Sequence, residues 1–316
     1  MPCQPYAVAL LRPSGAREAE DYNAPLLGDL TLGVEVTEPE LAARCRLGNI
    51  DPQHGQGAAL AGRGRPKAAI DAALTWPLPP IGTRLVTIRP DADAFGAMAV
   101  LSLRAKGVPL DAAARSRVAL IARCDAFALG DWASWRASRG PLRRPAPARE
   151  MVCAPSGYAA VTALARDPDL TPAARLWAFE AWLLTADIRA HVREANGAFA
   201  SNLARAWNAG EIEIDCPASG GLAVVRSATP GALMLGYRFA PLVVAFSATA
   251  GPRKVTIAQF ATGHADLTTL AAELSPLEPG WGGTPTIVGS PQGVGSLLTE
   301  AEILQRLDSH RTPRNL

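Results

Sequence analysis

The sequence predicts an α/β protein with a parallel-sheet N-terminal domain (1–150), a helical connector (151–210) and a smaller mixed-sheet α/β C-terminal domain (211–316). Three observations carry this. Leu85 to Leu103 reads as strand, acidic turn and helix. Residues 156–209 repeat apolar side chains at helical spacing. From Glu211 onward, short β-rich runs alternate with Gly, Pro and Ser.

The elements follow in order. Tyr6 to Leu11 makes a first strand, and Gly15 to Gly28 is polar and turn-rich. Leu30 to Val36 alternates as a second strand. Thr37-Glu38-Pro39 then opens a short helix through Arg44, with threonine at the cap and proline near its start. Leu47 to Gly57 is a turn carrying Asp51 and His54, and Lys67 to Leu74 is helical. The strand Leu85–Ile88 stops at Arg89-Pro90, because proline cannot continue a central strand. Asp91, Asp93 and Gly96 follow, then the helix from Ala97 to Leu103 and a second helix from Asp111 to Arg123 that runs into Cys124-Asp125. A proline-rich seam occupies Pro141 to Pro147. Ser156–Arg166 and Thr171–Ala209 are helical, with Leu176, Phe179, Trp182, Leu183, Leu203 and Trp207 forming a packing stripe. IEI, GLAVVRS, GALMLGYRFA, PLVVAFSA and RKVTIAQF are the strands of the last domain, closed by a helix from Leu298 to Leu307.

Composition narrows the function classes. The 316 residues are 48% hydrophobic with a net charge of +2, enough apolar material for a sizeable core and too little charge for a long nucleic-acid footprint. The basic run Arg136 to Arg149 is proline-interrupted and reads as a solvated linker. The five cysteines are scattered without a CxxC pair, which argues against a disulfide framework or zinc ribbon and for a reducing compartment. No signal peptide or membrane span is apparent, so a cytoplasmic protein is expected.

Asp91 and Asp93 end a strand, where open α/β sheets hold ligands, and two carboxylates so spaced suit one hard cation. One Asp would suffice to cap the following helix.

Two stretches resemble the DHH phosphoesterase superfamily. Pro90, Asp91, Asp93, Ala94 and Gly96 match its first motif, His-x-x-Pro-Asp-x-Asp-Ala-x-Gly, with Thr87 at the histidine position. Lys254-Val255-Thr256-Ile257 resembles the strand of its C-terminal DHH-associated domain, and Asp266-Leu267-x-x-Leu270 the helix after it. Gly280 to Gly289 fits that domain's glycine-rich loop, with Thr284 at a second histidine position. The Asp-His-His motif itself has no counterpart after Asp93; the nearest is Asp51-Pro52-Gln53-His54, which precedes it. Ala258 stands where the family often places an arginine.

The resemblance implies a phosphoesterase using Mn²⁺ or Mg²⁺ on a small nucleotide or short oligonucleotide. If the first domain is one parallel sheet, the turns holding Asp51, His54, Asp91, Asp93 and Asp125 can share one edge as metal ligands. Asp91 and Asp93 would bridge or ligate; His54 would ligate or protonate a leaving oxygen. Beside this stands the reading of Asp51, His54 and Asp125 as turn, exposed loop and cap residues. Glu35 and Glu38, ending another strand, are weaker candidates, with Glu38 suited to a first-turn charge on the next helix. In the last domain Gly282, Gly283 and Ser290 offer backbone amides for a phosphate, or simply form tight turns. Arg226 is a candidate phosphate contact, and Trp281 either stacks on a base or packs. A second functional reading is a degenerate relative that binds nucleotide or metal without turnover, motivated by Thr87 and Thr284.

Overall fold

The structure, a computed structural model, describes residues 4–52, 68–144, 158–186, 190–217, 220–247, 252–291 and 294–312. The chain divides into two compact units, one of residues 1–125 and 156–195, the other of 126–155 and 196–316. The connector expected over 151–210 is therefore shared between the units. Residues 126–144, expected with the first domain, belong to the second unit.

The first unit is built on a four-stranded parallel sheet: β1 (Ala7–Leu10), β2 (Thr31–Val34), β3 (Asn49–Ile50) and β4 (Arg84–Thr87), in the order β1-β4-β2-β3. Leu10 is level with Thr87 and Val34 with Ile50. Parallel pairing thus brings the ends of all four strands to one edge. Successive residues of β4 serve opposite faces, as a period of two requires. Leu85 joins Leu32, Val34 and Ile50 against helices α4 (Ala92–Ala105) and α8 (Pro172–Thr185), where Phe95, Met98, Phe179 and Trp182 are buried. Val86 packs on the other face with Val36 and Leu41 of α2 (Pro39–Ala43). The remaining helices of this unit are α1 (Ala19–Asn23), α3 (Ala69–Ala72), α5 (Ala112–Asp125) and α7 (Tyr158–Arg166). Helix α9 (Ala190–Asn208) spans the division. Gly96 lets α4 approach α3, since a Cβ there would lie 2.6 Å from Ile70 Cδ1.

Local expectations hold in most of this unit. Thr171 caps α8, its Oγ1 accepting from Ala174 N at 3.2 Å, and Pro172 opens the helix. At α2 the cap position falls on Glu38, not Thr37, and Glu38 spends its carboxylate on Ser14 N and Oγ.

The second unit carries a six-stranded mixed sheet, β5 (Glu213–Asp215), β6 (Leu222–Arg226), β7 (Leu242–Phe246), β8 (Val255–Gln259), β9 (Gly282–Thr284) and β10 (Ile287–Gly289), ordered β5-β6-β7-β8-β10-β9. Among the described residues of this sheet only β6 and β7 pair in parallel, and that pairing demands a crossover. The segment GALMLGYRFA supplies it as a short helix, α10 (Ala232–Gly236), where a strand was expected. Ala, Leu and Met favour helix over strand, and the Cβ of any other residue at 236 would lie 2.6 Å from Val243. Helices α11 (Leu267–Leu274) and α12 (Glu300–His310) complete the unit, α11 capped by Asp266 and α12 by a Thr299–Glu302 capping box.

The basic run is not a free linker where it is described. Helix α6 (Trp132–Ala137) anchors on this unit through Trp132 Nε1, which donates to Tyr237 O at 2.7 Å. Arg238, fully buried, donates to the carbonyls of Arg139 and Gly140.

The glycine-rich loop expected at 280–289 is a hairpin, with Val288 opposite Gly283 and Pro285-Thr286 at the turn. Gly283 has φ 152°, and a Cβ there would sit 2.0 Å from Ile287 O. Gly283→Ala should therefore cost this unit roughly 1–3 kcal/mol in urea denaturation. Gly282→Ala, with nothing within 4 Å of the new Cβ, should stay within about 0.5 kcal/mol of wild type. Equal effects at the two positions would contradict the hairpin register.

Candidate metal centre

Each acid of the first unit is placed by the end of a strand or helix. Glu35 directly follows β2 and keeps the pairing one residue longer, its N–H donating to Ile50 O at 3.0 Å. Its φ of 54° is a left-handed conformation that a branched-free acidic side chain adopts only at a cost. Asn49 holds the next residue: its Oδ1 accepts from Val36 N at 3.2 Å and its Nδ2 donates to Val36 O at 2.9 Å. Asp51 directly follows β3. Asp91 is the N-cap of α4, its Oδ1 accepting from Ala94 N at 2.9 Å. Asp93 lies in the first turn of α4 and is held by the start of α3, accepting from Ala69 N at 2.6 Å and Ile70 N at 2.9 Å. Asp125 is the last residue of α5.

These placements converge. Carboxylate oxygens of Glu35, Asp93 and Asp125 all lie within 4.8 Å of one another. Glu35 is 4% exposed and Asp93 2%. Burial pushes the Glu35 carboxyl well above its usual pKa, and the charges of Asp91, Asp93, Asp125 and Asp51 push it further. Burial, then the Asp91 charge, raises Asp93 to about 7, while the amides of Ile70 and Ala69 and a hydrogen bond with Glu35 pull the other way. All four aspartates named from the sequence therefore act on one point, and that point is Glu35. Glu35, a weaker candidate from the sequence, closes the run Thr31–Val34, which is buried throughout. Tyr158, at the start of α7, was not foreseen. Burial raises its phenol well above the usual value, with Asp125, Cys124, Asp91 and Asp93 adding to the effect.

An all-oxygen donor set of this kind suits Mg²⁺, Mn²⁺ or Ca²⁺ and not a thiolate-preferring metal. Asp93 accepts one backbone amide on each carboxylate oxygen, the arrangement that orients a ligand from outside its coordination sphere.

The other sequence candidates sit elsewhere. His54 lies outside the described residues. Thr87, at the histidine position of the first motif, is buried, with Oγ1 donating to Arg89 O and accepting from Arg89 N. In the second unit Arg226 is enclosed by acids, pairing with Asp215 at 2.5 Å, Glu300 at 2.8 Å and Glu213 at 3.3 Å, which neutralises the charge a phosphate would need. Ser290 Oγ accepts from Val255 N at 3.0 Å and extends the β8–β10 pairing. Gly282 and Gly283 are strand residues of the hairpin. Thr284 bonds Thr286, and Trp281 is buried with Nε1 donating to Glu278, so it packs and does not stack.

No protein-family model matches the chain, and no curated protein matches it significantly. Among the described residues no helix is long and apolar enough to cross a membrane.

Glu35 and Asp93 have folded-state pKa values above those of the unfolded chain, so between pH ~4 and ~7 the native state holds more protons. Their contribution to stability must fall as pH rises through that window. Glu35→Gln mimics the protonated acid. With EDTA present, its melting temperature relative to wild type should rise steadily from pH 5 to pH 8; a constant or shrinking difference would contradict the buried acidic pair.

Proposed function

We propose that the chain is a divalent-metal-dependent phosphoesterase, related to the DHH superfamily, acting on a small nucleotide or short oligonucleotide. The observation that carries this reading is the convergence of Glu35, Asp93 and Asp125, with Asp51 and Asp91 beside them, at the carboxyl edge of a parallel sheet. Ligands of open α/β sheets bind at that edge.

In this reading Glu35, Asp93 and Asp125 would hold the cation, with Asp51 and Asp91 as further carboxylates whose charges act on the same point. A divalent ion supplies Lewis acidity toward a phosphoryl oxygen and makes water a stronger acid near neutral pH. The chain's own part is positional. Ala69 and Ile70 fix Asp93, Asn49 fixes the turn at Glu35, and the cap bond of Asp91 fixes the start of α4. A cation held there would oppose the burial and the neighbouring charges that raise Glu35 and Asp93, and so would favour their ionised forms. His54 takes the role of further ligand or proton donor. The small net charge suits a short substrate over a long duplex.

A second reading has one observation in its favour. Thr87 stands at a ligand position of the family motif with its hydroxyl bonded back to Arg89, which reduces the donor set and fits a protein that binds metal or nucleotide without turnover.

Hydrolysis of bis-p-nitrophenyl phosphate and short oligonucleotides with Mn²⁺ separates the two. The enzyme reading expects EDTA-sensitive turnover that drops at least about a hundredfold in Asp93→Asn and in Asp125→Asn. Tight, stoichiometric Mn²⁺ without turnover selects the second reading; neither binding nor turnover removes both.

A further inference from the structure

We propose that the first unit binds an extended peptide segment of a partner protein along the open edge of β1, pairing that segment's main chain with Val8 and Leu10. Among the described residues β1 is the terminal strand of its sheet, with β4 on one side only. Ala7 N–H donates to Thr83 O at 3.1 Å and Leu11 N–H to Thr87 O at 2.8 Å, so the odd-numbered residues turn their main-chain groups toward β4. In a parallel ladder the N–H and C=O of one residue point to one side and those of the next residue to the other. Val8, Leu10 and Arg12 therefore present theirs away from the sheet.

Arg12 shows what this edge accepts. Its N–H donates to Asn23 Oδ1 at 2.9 Å, and Asn23 Nδ2 donates to its C=O at 2.8 Å, so one buried side-chain amide stands in for a neighbouring strand. Among the described residues no such partner meets the outward groups of Val8 or Leu10. An N–H and a C=O at each of two positions, about 7 Å apart along the strand, are left as a template for a further strand.

This edge lies in a groove of about 510 Å³, lined by Val8, Leu10, Tyr22, Leu170, Thr171 and Pro172, among others. Leu170 packs with Val8 and Leu10 on the core of the unit, and Tyr22 carries the Arg12 guanidinium 4.2 Å from its ring centre. These walls choose the occupant. In a second copy the same edge is recessed between the same walls, so two such edges cannot approach to the ~4.8 Å spacing of paired strands. An isolated extended segment brings only its own main chain into the groove. Its side chains alternate in direction, and those that meet Leu170 and Pro172 are apolar. None of these groups is an acid of the metal centre, so the proposal stands apart from the hydrolase reading.

The N–H groups of Val8 and Leu10 take no part in the ladder, so proline at either position removes only an outward donor, and edge strands tolerate proline. A displayed library of random heptapeptides is selected on the immobilised full chain, and the enriched sequences are synthesised and titrated by fluorescence anisotropy. Enrichment of peptides with apolar residues at alternate positions is expected. Val8→Pro and Leu10→Pro, folded by circular dichroism, should each weaken binding about tenfold or more. N-methylation of one alternate set of peptide amides should abolish binding, whereas methylation of the intervening set should leave it within about twofold. The absence of any enriched peptide overturns the proposal, as does equal affinity in the folded proline variants or equal loss from both methylation sets. A wild-type dimer in sedimentation velocity that Val8→Pro dissociates also overturns it, assigning the edge to a second copy. If neither proline variant folds, the methylation pattern decides alone.

Discussion

Mutual repulsion among carboxylates held out of water is the constraint on which the first unit depends. Removing an ionised carboxylate from water costs several kcal/mol per group even after relaxation, and here Glu35 and Asp93 are buried, with the charges of Asp91, Asp125 and Asp51 also acting on Glu35 and that of Asp91 on Asp93. The fold imposes that arrangement. Parallel pairing stacks the ends of β2, β3 and β4 side by side, and the residues that leave those strands are Glu35, Asp51 and the Asp91–Asp93 turn. A left-handed backbone at Glu35, clamped on its far side by Asn49, turns the carboxylate inward instead of letting it escape to solvent. Such strain, kept beside a buried acid, points to a role other than stability.

The second unit is organised on the opposite principle, with its charges satisfied internally. Arg226 balances three acids, Glu278 accepts from Trp281, Ser296, Leu297 and Leu298, and the Thr299–Glu302 box closes the start of α12. Its glycines are explained by backbone approach: Gly283 meets Ile287 O across the hairpin, and Gly236 meets Val243 under the crossover helix. The polar groups that looked like phosphate contacts in the sequence are those that hold its sheet together.

How far the sequence could be read follows from which signals are local. The turn at Pro90–Gly96 was legible because proline, paired aspartates and a small-residue helix lie within a few positions, and Thr171-Pro172 marked the start of α8 for the same reason. What was hidden depended on pairing between distant segments. GALMLGYRFA looked like a strand until the parallel β6–β7 pair required a crossover at that point. Gly282-Gly283 looked like a loop because a hairpin closed by Pro285-Thr286 has no alternating apolar pattern. The burial of Glu35 comes from helices and turns far away in the chain, so no local pattern marks it. Asp125 meets Glu35, which lies ninety residues earlier in the chain.

Whether a cation occupies the acidic point at the carboxyl edge decides what the first unit does. Crystals grown with Mn²⁺ and measured at the manganese absorption edge locate that ion directly by anomalous scattering. An anomalous peak among Glu35, Asp93 and Asp125 is the predicted result. A well-ordered map with no such peak, and those three acids bonded only to protein and water, would contradict it.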